Sequence, residues 1–244
     1  MYSTKIDGEV LEFGTSGLLF RSNKLMYDRG TKSLWHQFTG EPVLGKLAHA
    51  GIKLKVLPVV LTTWGDWLAS HPDTTVLDID TGLYRPALYV PESDPQSIYY
   101  GVRRQPVASF PVWQKSDRPP EKSEVLGLNI NGEARAYPRE SLARQSVLND
   151  SLGGQDLVVI TPGDGTGARA YQRSGQEFTT IQRYGDGEAK VTVADQSGGA
   201  WRVEEDALVN FADPSQRLDR LPSHVAYWFG WYAFHTATSV YGQD

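Results

Sequence analysis

Six side chains in the first 85 residues have types and settings that could do chemistry: Asn23, Asp28, Arg29, His36, Asp80 and Arg85. A carboxylate can act as general base toward water, and an arginine can stabilise the oxyanion that forms when a small ester, lactone or amide is attacked. In that scheme Asp80 or Asp28 is the base, and Arg29 or Arg85 faces the oxyanion. Asn23 and His36 are candidate ligand contacts. The run Asp78-Ile79-Asp80-Thr81-Gly82 offers a further site. Strand alternation would put Asp78 and Asp80 on one face, where with backbone oxygens they could seat Ca²⁺. Calcium is the sole cofactor this pattern calls for, and none is required. Against each reading stands a plainer one, a solvated turn or a surface ion pair. Aspartic proteases need two D-T-G aspartates sharing a proton, and this chain has a single D-T-G.

Other chemistries find no support. The chain has no cysteine, which removes disulfides, thiolate metal sites and cysteine nucleophiles. Its five histidines (36, 49, 71, 224 and 235) show neither H-x-H nor H-E-x-x-H spacing, so no zinc site is expected. Gly14-Thr15-Ser16-Gly17 lacks the spacing of a nucleophile elbow. The glycine-rich stretch Pro162–Gly167 would need a helix after it to cradle phosphate, but Ala168–Arg173 alternates as a strand does, which predicts a hairpin turn. A net charge of −5, with Arg103-Arg104 as the adjacent basic pair, argues against nucleic acid.

The polar residues were singled out by an internal comparison. Residues 54–77 and 218–241 align without a gap at an offset of 164, with nine of 24 positions identical. The identities include Pro58/Pro222, Trp64/Trp228, Trp67/Trp231, His71/His235 and Thr74/Thr238. Upstream, Asp28–Trp35 faces Asp195–Trp201. Residues kept in both copies point to the shared fold. Those special to the first copy, such as Arg29 where the second has Gln196, point to function. Asp80 would face Asp244, leaving Thr81-Gly82 and Arg85 without counterparts.

The elements that must position these residues follow from pattern. The reading is a β-rich α+β protein of two pseudo-repeated units, each with a sheet and one principal tryptophan-rich helix. The first unit is 1–85 and the second 124–244, joined by a strap, 86–123, that holds seven of the 14 prolines. Together they should make one compact domain. Trp64, Trp67 and His71 recur at i, i+3 and i+7, one helix face, and Pro58 and Pro222 would open the two helices. Strands are predicted at Val10–Phe13, Leu18–Arg21, Lys53–Val56, Thr75–Ile79, Leu157–Ile160, Ala168–Arg173 and Lys190–Ala194. Val125–Tyr137 alternates around Asn131-Gly132, a type I′ hairpin signal, and a short helix is expected at about Glu140–Gln145. The first unit has no such opening hairpin, so it reads as N-terminally truncated, with an unfilled edge near Glu9–Phe13 that a second copy could cover.

The run Phe13–Trp35, the T-G-E-P-V-L-G at 39–45, the L-P…W-x-x-W…H-P-D-T-x-V-L block and D-T-G-x-x-R at 80–85 together resemble a bacterial family, domain of unknown function 3179. The resemblance implies a fold but no established activity. It also implies a strand ending in C-x-x-C just before the stretch that starts at Tyr2. That piece is absent here, and the equivalent Thr161–Gly167 in the second unit carries no cysteine, so redox or metal work by such a pair is excluded in this chain.

Three functional expectations follow. One is a small-molecule or ion binding accessory protein with its ligand in a polar cleft near Asp28, Arg29, Asp80 and Arg85. Another is the hydrolase described above. A third is a structural or assembly protein. No apolar stretch reaches ten residues, so no membrane span is expected. The start Met1–Lys5 lacks a leader's apolar run, which reads as cytoplasmic, or as exported if a leader has been lost.

Overall fold

A computed structural model describes residues 1–85, 89–163, 165–184 and 190–243. The chain opens with a small ribbon, β1 (Lys5–Ile6) and β2 (Glu9–Val10). An antiparallel meander follows: β3 (Phe13–Phe20), β4 (Asn23–Asp28), β5 (Leu34–His36) and β6 (Pro42–Leu44), in that spatial order. Leu25 and Trp35 are buried in it. The stretch expected to be an unfilled edge is met from within the chain. Glu9 and Val10 pair with β1, Leu11 N–H donates to Thr4 O at 2.9 Å, and Glu12 O accepts from Arg29 N–H at 2.8 Å. The edges of the four-stranded sheet are β3 and β6, and on β3 Leu18, Leu19 and Phe20 are exposed.

Two further expectations for the first unit are corrected. Lys53–Val56 forms a single bridge, Val56 to Tyr2, rather than a strand. Thr75–Ile79 has no strand partner among the described residues and lies exposed throughout. The helix α1 (Trp64–Ser70) begins six residues after Pro58. Thr63 caps it, its hydroxyl oxygen accepting from Asp66 N–H at 3.1 Å. Within the strap sits one short helix, α2 (Tyr100–Arg104).

The second unit forms as its patterns predict at the start. β7 (Glu124–Ile130) and β8 (Glu133–Pro138) turn at Asn131 and Gly132, with φ of 51° and 89° as a type I′ turn requires. Then come α3 (Arg139–Arg144), β9 (Val147–Leu152), β10 (Gln155–Ile160) and β11 (Arg169–Gln172). β10 and β11 pair antiparallel, so the glycine-rich connection between them is a hairpin turn; its Asp164 lies outside the described residues. A second meander, β12 (Phe178–Tyr184), β13 (Lys190–Asp195), β14 (Ala200–Val203) and β15 (Ala207–Asn210), leads to β16 (Arg217–Leu221). The chain finishes with β17 (His224–Tyr227), α4 (Trp228–Tyr232) and β18 (Ser239–Val240). Pro222 therefore separates two strands and does not open the helix. His224–Tyr227 has a backbone partner in β7, and the ladder it gains outcompetes a helical start.

Eight strands curl in the order β12-β13-β14-β15-β16-β11-β10-β9. The ends meet through one side chain. Asn149 of β9 donates from Nδ2 to Phe178 O at 2.7 Å and accepts from Phe178 N–H at 3.0 Å, standing in for a strand ladder. Val158, Ile160, Tyr171, Val193, Trp201 and Leu208 fill the inside of this near-barrel. The hairpin β7–β8 is buried on both faces. Leu126, Leu128 and Tyr137 pack on β9 and β10, while Val125 and Ala136 pack on Trp228 and Trp231. That two-sided burial explains why β7 reads as a nearly continuous apolar run. Among the described residues, no helix is long and apolar enough to cross a membrane.

Side chains and backbone tie the first unit to the second. Phe38 stacks on Phe234 with ring centroids 4.9 Å apart. Gly167 N–H donates to Leu61 O, and Arg220 Nη2 to Val59 O, both at 2.9 Å. Arg220 is buried, and Glu205 offsets its charge at 2.7 Å while also pairing with Arg169.

Candidate functional site

The expected polar cluster does not assemble into one hydrogen-bonded group. Asp28 is fully buried at the end of β4. Its carboxylate accepts from Trp35 Nε1 at 2.9 Å, from Thr31 Oγ1 at 2.7 Å and from Thr31 N–H. Burial works to raise its pKa, but these bonds outweigh it and hold the group below its ordinary value. The lone pairs of Asp28 are thus committed to holding the turn. Arg29, next in the chain, is exposed, 3.8 Å from Glu12 and over the ring of Tyr27. Asp78 and Asp80 are exposed and cap their own loop: Asp80 N–H donates to Asp78 at 2.9 Å, and Gly82 N–H to Asp80 at 3.2 Å. Arg85 is exposed at the border of the described residues. Among the described residues, no hydrogen bond or ion pair joins Asp28 or Asp80 to Arg85. The expected Asp80–Asp244 correspondence falls partly on Asp244, outside the described residues. The same limit applies to the metal reading: no group of three or more histidine, aspartate or glutamate side chains gathers to hold an ion among those residues.

His36 and Asn23 both hold a buried polar atom without a hydrogen-bond partner. His36 is buried in an aromatic seam between the units, 4.8 Å from the ring of Phe20 and 4.5 Å from that of Phe234. Its Nδ1 lies 3.1 Å from Thr39 Oγ1, and its Nε2 has no hydrogen-bond partner. Burial, helped by the Arg21 cation, lowers its pKa to about 4, so it is neutral at pH 7. Asn23 Oδ1 is likewise buried without a partner.

A pocket of about 200 Å³ lies elsewhere, beneath the strap. Its walls come from α2 and the residue before it (Val102, Tyr99), from later in the strap (Phe110) and from the junction of β17 and α4 (Tyr227, Phe229). Phe110 meets Phe229 edge-on at 5.7 Å, and Tyr227 stacks beside Phe229 at 6.0 Å. The end of the strap fixes this wall in place. Ser123 O accepts from Trp228 N–H at 2.8 Å, and Glu121 O from Phe229 N–H at 3.0 Å. Two cations sit at the rim. Lys122 Nζ lies 5.4 Å from the ring centre of Tyr227 and donates to Val102 O; Arg103 pairs with Glu92 at 3.0 Å. The sequence pattern does not mark this pocket, because the wall that closes it, Tyr227 and Phe229, comes from residues more than 100 positions away from the rest of the lining.

A family model described as a protein of unknown function, DUF3179, matches residues 1–238. No curated protein and no solved structure matches the chain. With that match spanning nearly its whole length and the motifs at 13–85 in agreement, the chain belongs to the DUF3179 family.

Proposed function

We propose that this protein binds a small, largely apolar molecule in the pocket beneath the strap, an aromatic ring or short aliphatic chain carrying an anionic end. The observation that carries this reading is the cavity itself: about 200 Å³ walled by Tyr99, Val102, Phe110, Tyr227 and Phe229, with two cations, Lys122 and Arg103, and one carboxylate, Glu92, also lining it. Mainly apolar walls with a few placed polar groups are the usual form of a ligand site. An apolar cavity of about 150 Å³ already accepts a benzene-sized guest. The rim cations can meet a carboxylate, although Arg103 would have to share itself with Glu92. This keeps the binding role expected from sequence and moves the site away from Asp28 and Asp80.

Titration with benzoate, toluene, benzylamine and hexanoate, followed by protein NMR, tests the reading. Benzoate and hexanoate should shift resonances around Phe110 and Phe229 saturably, with a Kd between about 10 μM and 10 mM, as expected for ligands of nine or so heavy atoms. Benzylamine should bind more weakly than benzoate. Val102→Trp, which fills the space from α2, should abolish the shifts. Failure of all four probes to saturate, or equal binding by Val102→Trp, rules the pocket out.

A further inference from the structure

We propose that the first tryptophan helix, with the extended segments on either side of it, is the docking face for a β-hairpin of the β7–β8 kind. Three elements of the second unit clamp that hairpin. β17 pairs antiparallel with β7, β18 pairs parallel with β8, and α4 lies across it with Trp231 on Gly127. A Cβ on Gly127 would overlap the Trp231 indole, so the helix seats only on a glycine. The first unit holds the counterparts of all three at the same offset: residues 60–63, α1 and residues 75–76. The internal geometry of the counterpart is already set. Trp67 Nε1 donates to Thr74 Oγ1 at 3.0 Å, as Trp231 Nε1 does to Thr238 Oγ1 at 3.0 Å. His71 stacks on Trp67 with ring centres 3.9 Å apart, and His235 lies against Trp231 at 4.1 Å with its ring tilted by 38°.

What differs is the cover. Trp64 is 52% exposed where Trp228 is 2% exposed, and Leu61, Val76 and Leu77 are exposed as well. Residues 60–63 and 75–76 are in no strand; apart from Leu61 O and Thr63 O, which accept from Gly167 N–H and Trp67 N–H, their backbone offers one edge for antiparallel and one for parallel pairing. Charge narrows the occupant. Residues 61–80 carry Asp66, Asp73, Asp78 and Asp80 and neither lysine nor arginine. The hairpin that fits is therefore apolar along one face, has a glycine to lie under Trp67, and is basic at its margins.

The test uses the full chain and, as probe, a backbone-cyclised peptide of the sequence Glu124–Pro138 carrying E124K and E133K, which makes its margins basic, read by amide hydrogen exchange. With the peptide at about 1 mM, exchange at Leu61–Thr63 and Thr75–Leu77 should slow at least about tenfold. The protection should disappear with a peptide carrying G127V and with Trp67→Ala in the protein. Trp64→Ala, whose side chain is exposed, serves should Trp67→Ala fail to fold. Three results overturn the proposal: no protection by the peptide, equal protection by the G127V peptide, or protection of the same amides through concentration-dependent self-association without peptide, which makes a second copy the occupant.

Discussion

The turn around Asp28 and Trp35 and the turn around Asp195 and Trp201 are alike in build and in burial, while α1 and α4, which share the same Trp-x-x-Trp spacing and the same Trp–Thr bond, differ in what covers them. In each turn an indole donates to a buried aspartate, at 2.9 Å in the first and 2.8 Å in the second, and backbone or hydroxyl donors complete the carboxylate's set. Both aspartates are held below their ordinary pKa by those bonds against the pull of burial. The turn closes within its own meander, so local sequence is enough to make it. The helices reach their final state only against a hairpin. α4 has one and buries Trp228 and Trp231; α1 has none among the described residues and leaves Trp64 in solvent.

The largest test of that contrast is the pair Trp228→Ala and Trp64→Ala. Removing a fully buried tryptophan should cost about 3–5 kcal/mol in urea melts, against less than about 1 kcal/mol for the exposed one. Equal losses would break the comparison. The turns should behave oppositely. Asp28→Ala and Asp195→Ala should each cost about 1–3 kcal/mol, because each strands a buried indole N–H and further donors. The two losses should agree closely, and a wide gap would mean that the turns are not equivalent. Their carboxylates have lowered pKa values in the folded state. Their contribution is therefore present above the unfolded aspartate pKa and should fade as pH falls through the still lower folded value.

The barrel seam offers an intermediate effect. Asn149→Leu leaves Phe178 N–H and C=O without their partner and should cost about 1–3 kcal/mol, with faster amide exchange at the ends of β9 and β12. A small effect at neutral pH belongs to His36→Phe. A ring surrounded by Phe20 and Phe234 should accept the change within about 1.5 kcal/mol. Its signature lies in acid. A histidine lowered to about 4 in the fold takes up its proton first in the unfolded chain, so stability drains as pH falls from about 6.5 to about 4. The variant should show a shallower loss across that window.

The hairpin at Asn131-Gly132, the strand at Leu157–Ile160 and the antiparallel return after Pro162–Gly167 were all legible, since each depends on alternation and turn chemistry within a few residues. The helix starts were misplaced because Pro222 is compatible with a helix opening and equally with a break between strands. Pairing of His224–Tyr227 with β7, 97 or more positions earlier, decides between them. Thr75–Ile79 has a strand's composition and no strand to pair with. Of the expected site residues, Asp28 is buried with its carboxylate bonded within its own turn and His36 is buried among aromatic rings, which their spacing does not report.

By itself the sequence determined the β-rich character, the type I′ turn, the aspartate–indole turns and the matching Trp–Thr and Trp–His pairs. All of these are contacts between residues close in the chain, where side-chain chemistry and backbone preference suffice. Only the tertiary structure decided which tryptophan face is buried, where the barrel closes and where a pocket opens. Those outcomes depend on surfaces brought together from distant positions, and burial is a property of what lies opposite a side chain rather than of the side chain itself.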